Sequence, residues 1–189
     1  MKPLALEDLP SPDEFLRVRE SMRRHVIELK VRRRIAVGPH VTFLFENRET
    51  VRWQVLEMCR VEGHVTEEKR REELDVDNEM LPDDGGLAAT MFLELPGEAL
   101  LKTWLPKLVG IEEHVVLRFG GREVRAAFEG GRSKETTTSC VHYVKFALSD
   151  VERRLFASSE VVLAIDHPAY RHQAALEKAT RDSLVADWS

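Results

Sequence analysis

Apolar residues recur at helical spacing early in the chain: Phe15, Val18, Met22, Val26 and Leu29 make one stripe, with arginines on the other faces. Ser11-Pro12-Asp13-Glu14 opens this helix. Serine caps free N–H groups, proline suits the first helical position, and acids favour the positive end of the helix dipole. Val37-Gly38-Pro39 ends the run. Val41-Thr42-Phe43-Leu44-Phe45 is β-branched and aromatic, and reads as a strand. Asn47 is placed to cap a second helix that buries Val51, Val55, Met58 and Val61, and Thr66 to cap a third that stops before Pro82. Pro82-Asp83-Asp84-Gly85-Gly86 is the sharpest break.

The texture changes after that break. Leu87–Leu95 reads as a strand and Glu98–Leu108 as a helix; Val115–Phe119, the turn Gly120-Gly121 and Val124–Phe128 read as a hairpin. Ser139–Leu148 alternates apolar and polar positions, Ser149-Asp150 caps a short helix, and Val161–Ile165 is a strand against which His172–Leu176 can pair. The pattern predicts an α+β fold, an N-terminal helical layer packed on a largely antiparallel β-sheet. One domain spans 1–189: helix-rich over 1–81, strand-rich over 87–178, with a terminal helix over 180–188.

Composition narrows the class. The chain is 43% apolar and 32% charged, as expected of a globular protein rather than a disordered one. No apolar run approaches the roughly 20 residues of a membrane span, and acids interrupt the N-terminus at once, so a cytoplasmic protein is expected. The two cysteines, Cys59 and Cys140, read as free thiols and form no CxxC pair, which excludes a zinc ribbon or an iron–sulfur ligand set from this chain alone. The net charge of −5 hides two opposed blocks. Residues 17–34 carry eight basic against two acidic side chains, and residues 62–84 carry ten acidic against three basic ones. The blocks are expected to face each other, the first helix beside the acidic segment within one subunit, with a homodimer as an extension. The acidic total argues against nucleic acid as a partner.

The densest chemistry lies in Ile165-Asp166-His167-Pro168-Ala169-Tyr170-Arg171-His172. Read as a Pro-containing loop, it lets His167 and His172 approach one point, and imidazole suits iron, zinc or a haem iron. His142, His40 or Glu46 would supply a third ligand, as in a facial triad of two histidines and a carboxylate. The alternative is a structured turn with Tyr170 packed on the sheet. Glu46-Asn47-Arg48-Glu49-Thr50 at a strand-to-helix junction is either a helix cap or the mouth of an anion site, for which Arg48, Arg171 and Tyr170 are the candidate contacts. Cys140 and His142 share one strand face, yet a strand-buried thiol is usually inert. The glycine pairs fit no phosphate loop, and Glu129–Thr138 reads as a mobile loop.

Three stretches, Ile35–Val51, Leu108–Glu112 and Asp166–His172, together with Met1–Leu4 and Val141-His142-Tyr143, resemble a family of bacterial proteins known only as a domain of unknown function. The resemblance runs nearly end to end. It implies a neighbourhood with rubrerythrin and an iron–sulfur oxidoreductase, hence an accessory role in redox or peroxide defence, and it brings no active site. Two functional expectations follow. One is an accessory redox protein with a His-based metal or haem site; the other is a non-catalytic scaffold that binds a redox partner through the opposed charge blocks.

Overall fold

In the computed structural model, which describes residues 1–188, the first helix α1 (Pro12–Arg33) starts at the expected cap. The Ser11 hydroxyl accepts from the Glu14 N–H, and the Glu14 carboxylate accepts from the Ser11 N–H. Rather than running to Gly38, α1 passes directly into a short strand, β1 (Arg34–Ala36), and a turn leads into β2 (Val41–Glu46). Asn47 accepts from the Glu49 and Thr50 N–H groups and so caps α2 (Arg48–Glu62). Met58 and Val61 are exposed on this helix, and Leu56 and Cys59 take the buried places expected for them. Thr66 caps α3 (Glu67–Asn78).

The strand-rich half begins with β3 (Leu87–Leu93) and α4 (Glu98–Trp104). This helix ends earlier than the expected Leu108, since the ring of Pro106 would meet the carbonyl of the preceding turn. A 3-10 turn, Ile111–His114, leads to β4 (Val115–Phe119), β5 (Arg122–Arg125), β6 (Ala127–Phe128) and β7 (Val141–Phe146). Then come α5 (Asp150–Ser158), β8 (Val161–His167), β9 (Tyr170–Ala175) and α6 (Lys178–Val185).

The fold is α+β, with two antiparallel sheets. The first has the order β1-β2-β3-β7-β6 and the second β5-β4-β8-β9. The expected hairpin over 115–128 is therefore divided. Arg122–Arg125 pairs with β4, but after Ala126 the chain crosses to the other sheet, where Ala127 pairs with Lys145. Phe43, Phe45, Met91, Val144 and Phe146 of the first sheet meet Val115, Leu117, Leu163 and Ile165 of the second in one core. The opposite face of the first sheet is covered by the helical layer, whose core holds Phe15, Val51, Val55, Leu56, Leu74 and Met80. With both faces covered, every residue of β2 is buried.

Among the described residues, the charge blocks do not pair. Helix α1 packs on α2, β2 and α6. Among the described residues its cations pair with Glu57 (Arg19), Glu20 (Arg23) and Asp187 (Arg33), none of them in the 62–84 segment. Arg33 is not a surface charge at all. It is fully buried, donates to the Phe45 and Glu46 carbonyls, and meets Asp187 Oδ2 at 2.5 Å. Coulomb attraction between exposed helices is weak and screened, so apolar area decides which helix α1 lies against. Among the described residues, no helix is long and apolar enough to cross a membrane.

Candidate functional site

The segment expected to be a loop between two histidines is a tight hairpin, in which His167 pairs with Tyr170 and Ile165 with His172. Only Pro168 and Ala169 lie outside the strands. His167 is buried, and the backbone uses both ring nitrogens: Nε2 lies 3.2 Å from the Val109 carbonyl, and Nδ1 accepts from the Ala169 N–H. Burial pushes its pKa down, with the Val109 bond opposing and His114 adding to the effect. The neighbouring ring is that of His114, 5.1 Å away, not His172. His172 is exposed and lies against Tyr170, with ring centroids 4.4 Å apart. Tyr170 Oη donates to the Val37 carbonyl at 2.8 Å and accepts from the His40 N–H, which fastens the β1–β2 turn to β9. Gly38 permits this closeness: a Cβ there would stand 2.6 Å from that hydroxyl.

His40 shares this neighbourhood: its ring lies 6.3 Å from that of Tyr170 and 4.9 Å, tilted, from that of Trp104. The remaining candidates lie elsewhere. Arg171 is exposed on β9 opposite Asp166, which pairs with Arg118. Arg48 is engaged by the Lys2 and Pro3 carbonyls and by Asp8, so it anchors the N-terminal segment. Among the described residues, no group of three or more His, Cys, Asp or Glu side chains is arranged to hold a metal ion.

His142 belongs to a buried polar chain. Its Nε2 lies 3.0 Å from both Thr138 Oγ1 and the Ser139 carbonyl; Thr138 meets Ser133 Oγ at 2.7 Å, and Ser133 donates to Glu112. Its Nδ1 has no hydrogen-bond partner and stands 3.6 Å from Glu112 Oε2. Burial lowers the His142 pKa, and the Glu112 charge only partly opposes this, so the neutral ring is the stable form at neutral pH. The chain pins the Glu129–Thr138 segment, expected to be a mobile loop, to the 3-10 turn. It is a closed structural lock.

One arrangement open to solvent was not singled out by the sequence. A cleft of about 440 Å³ runs between the end of α3 and the β6–β7 pair, lined by Val76, Asp77, Met80, Phe128, Arg132 and Tyr143 among others. Asp77 is only 5% exposed. Gln54 Nε2 donates to its Oδ1 at 3.2 Å, whereas Oδ2 has no partner. Behind it, buried Glu46 accepts from Thr90 Oγ1 at 2.8 Å. Burial, then the charges of Glu73 and Glu46, push the Asp77 pKa up to about 6, while Gln54 opposes the rise. Burial also raises the Tyr143 pKa, which keeps its hydroxyl protonated. Arg132 lies over the Tyr143 ring at 4.4 Å and pairs with Glu129 at 2.7 Å; Lys145 pairs with Asp83 at 3.2 Å. Both cations on the lining thus have their own carboxylates, and the buried Asp77 does not.

The helical period of α3 is the signal that could have found it. Arg70, Leu74 and Asp77 are its buried residues, so an acid occupies a core position that an apolar residue would usually fill. Glu46 plays the same part at the end of β2: with Thr42 and Leu44 it faces the helical layer, and it is not brought to any of the candidate histidines. A desolvated carboxylate lacking a cation can bind one, or hold and release a proton near neutral pH.

A comparison with curated proteins finds no match. Among solved structures, the chain is similar to a protein of unknown function from Burkholderia pseudomallei, with 30% identity and a TM-score of 0.92 over 100% of both chains. Across residues 3–188 it matches the family described as Protein of unknown function (DUF3501), and it belongs to that family.

Proposed function

We propose that this protein is a non-catalytic accessory protein that engages its partner at the cleft between α3 and β6–β7, with the acidic end of α3 as the recognition wall. The observation that carries the reading is Asp77, a buried carboxylate on the cleft lining with one oxygen unpartnered. Buried unpaired charges are expensive, and a fold keeps one where a ligand supplies the missing partner. The lining side chains offer charge, hydrogen bonds and apolar surface, and they include no serine, cysteine or histidine nucleophile. This favours binding over covalent chemistry. The His-based metal or haem reading has less support, because His167 spends both ring nitrogens on the backbone.

Rubrerythrin and the iron–sulfur oxidoreductase implied by the resemblance are the first partners to try. Hydrogen exchange of the protein alone and mixed with each purified partner should show protection concentrated over residues 76–80 and 127–132. Protection on the exposed face of α1, or around His40 and His172, with the cleft unchanged, would overturn the assignment.

A further inference from the structure

We infer that the cleft between α3 and β6–β7 takes a primary alkylammonium group, with Asp77 as its counter-ion; this rests on reading the cleft as the binding site. An anion is excluded by Asp77 and by buried Glu46 behind it. A neutral ligand would leave the Asp77 charge desolvated and uncompensated, the costliest arrangement for a buried carboxylate. Among cations, the hydrogen bonding of Asp77 selects the ammonium. Gln54 holds Oδ1, so a single oxygen remains. A guanidinium is recognised best by two parallel acceptors, whereas an ammonium is a compact point charge that one oxygen can hold.

The walls suit an aliphatic stem. Val76 and Phe128 are large apolar side chains exposed at this cleft, and Met80 is buried deeper along it. An alkyl chain laid between them would cover that surface while its charged end reaches Asp77. The Tyr143 ring adds a face that attracts cations, already used by Arg132 on one side. Neither lining cation competes for Asp77, since Arg132 pairs with Glu129 and Lys145 with Asp83. A partner's lysine side chain and a free diamine share this chemistry.

Methionine-methyl NMR of the whole protein reads the site directly, because Met80 lines the cleft and the other four of the five methionines report elsewhere. Titration with n-butylamine should shift the Met80 resonance saturably, with a Kd roughly in the millimolar range for so small a ligand. n-Butanol, the neutral analogue, should shift it far less. Asp77→Asn should weaken butylamine about tenfold or more while leaving any butanol effect unchanged, and Glu46→Gln gives a second variant should the first fail to fold. Equal shifts from amine and alcohol, insensitive to both variants, would overturn the ammonium assignment and leave the cleft as an apolar site. No Met80 response to either probe would overturn it together with the cleft itself. N-acetyl-lysine methylamide binding at least as well as putrescine assigns the group to a protein partner; the reverse order assigns it to a free amine.

Discussion

Replacing Asp77 with asparagine should stabilise this protein, and by an amount that grows with pH. The carboxyl is raised from 3.8 to about 6 by burial and by Glu73 and Glu46. That rise is worth about 3 kcal/mol between the protonated and ionised folded states. Between about pH 4 and pH 6 the folded protein binds more protons than the unfolded chain, so stability falls as pH rises through that window. Above pH 6 the whole penalty is present. Asparagine keeps the volume and an oxygen for Gln54 but places an amide where Oδ2 was, and that amide needs an acceptor of its own. Recovery should therefore be partial, about 1–2 kcal/mol at pH 7.5, which for a chain of this size is a rise in Tm of roughly 2–8 °C. Thermal unfolding of the two proteins by circular dichroism at pH 4.5, 6 and 7.5 measures it. The gap should be near zero at the lowest pH and widest at the highest. A variant that melts lower than the parent at pH 7.5, or a gap indifferent to pH, would show that the fold needs the Asp77 charge, and the argument for a ligand-seeking carboxylate would fail.

Tyr170→Phe removes the hydroxyl that joins the Val37 carbonyl to the His40 N–H. Both partners stay close to the core, so a loss of about 1–3 kcal/mol in chemical denaturation is expected; an unchanged midpoint would mean that the β1–β2 turn is held by packing alone. Arg33→Met leaves Asp187 and the Phe45 and Glu46 carbonyls without their buried donor. The expected loss is about 3–5 kcal/mol, and a variant as stable as the parent would count against Arg33 as the tie between α1, β2 and the Ala186–Trp188 turn.

What could be decided from the sequence is what a few neighbouring residues decide among themselves. Helix starts at Ser11, Asn47, Thr66 and Ser149 are legible because the free N–H groups of a first turn are satisfied within about three residues. The strand at 141–146 is legible because pleating repeats every second residue, and the one at 41–46 because β-branched and aromatic side chains suit a pleated backbone. Which face meets which neighbour is not local. Met58 and Val61 continue an apolar pattern that α2 leaves in solvent, and the 122–128 strand divides between two sheets at Ala126, where its own residues carry no mark of the crossing.

The site follows the same division. The residue types of 165–172 advertise chemistry, but strand pairing sends His167 to Val109 and His114 while His172 and His40 both lie against Tyr170. Asp77 is one of ten acids between Glu62 and Asp84, and composition cannot separate it from the solvated ones. Packing α3 onto α2 does, because desolvation and unbalanced charge depend on what surrounds a carboxylate in space and not on its neighbours in the chain.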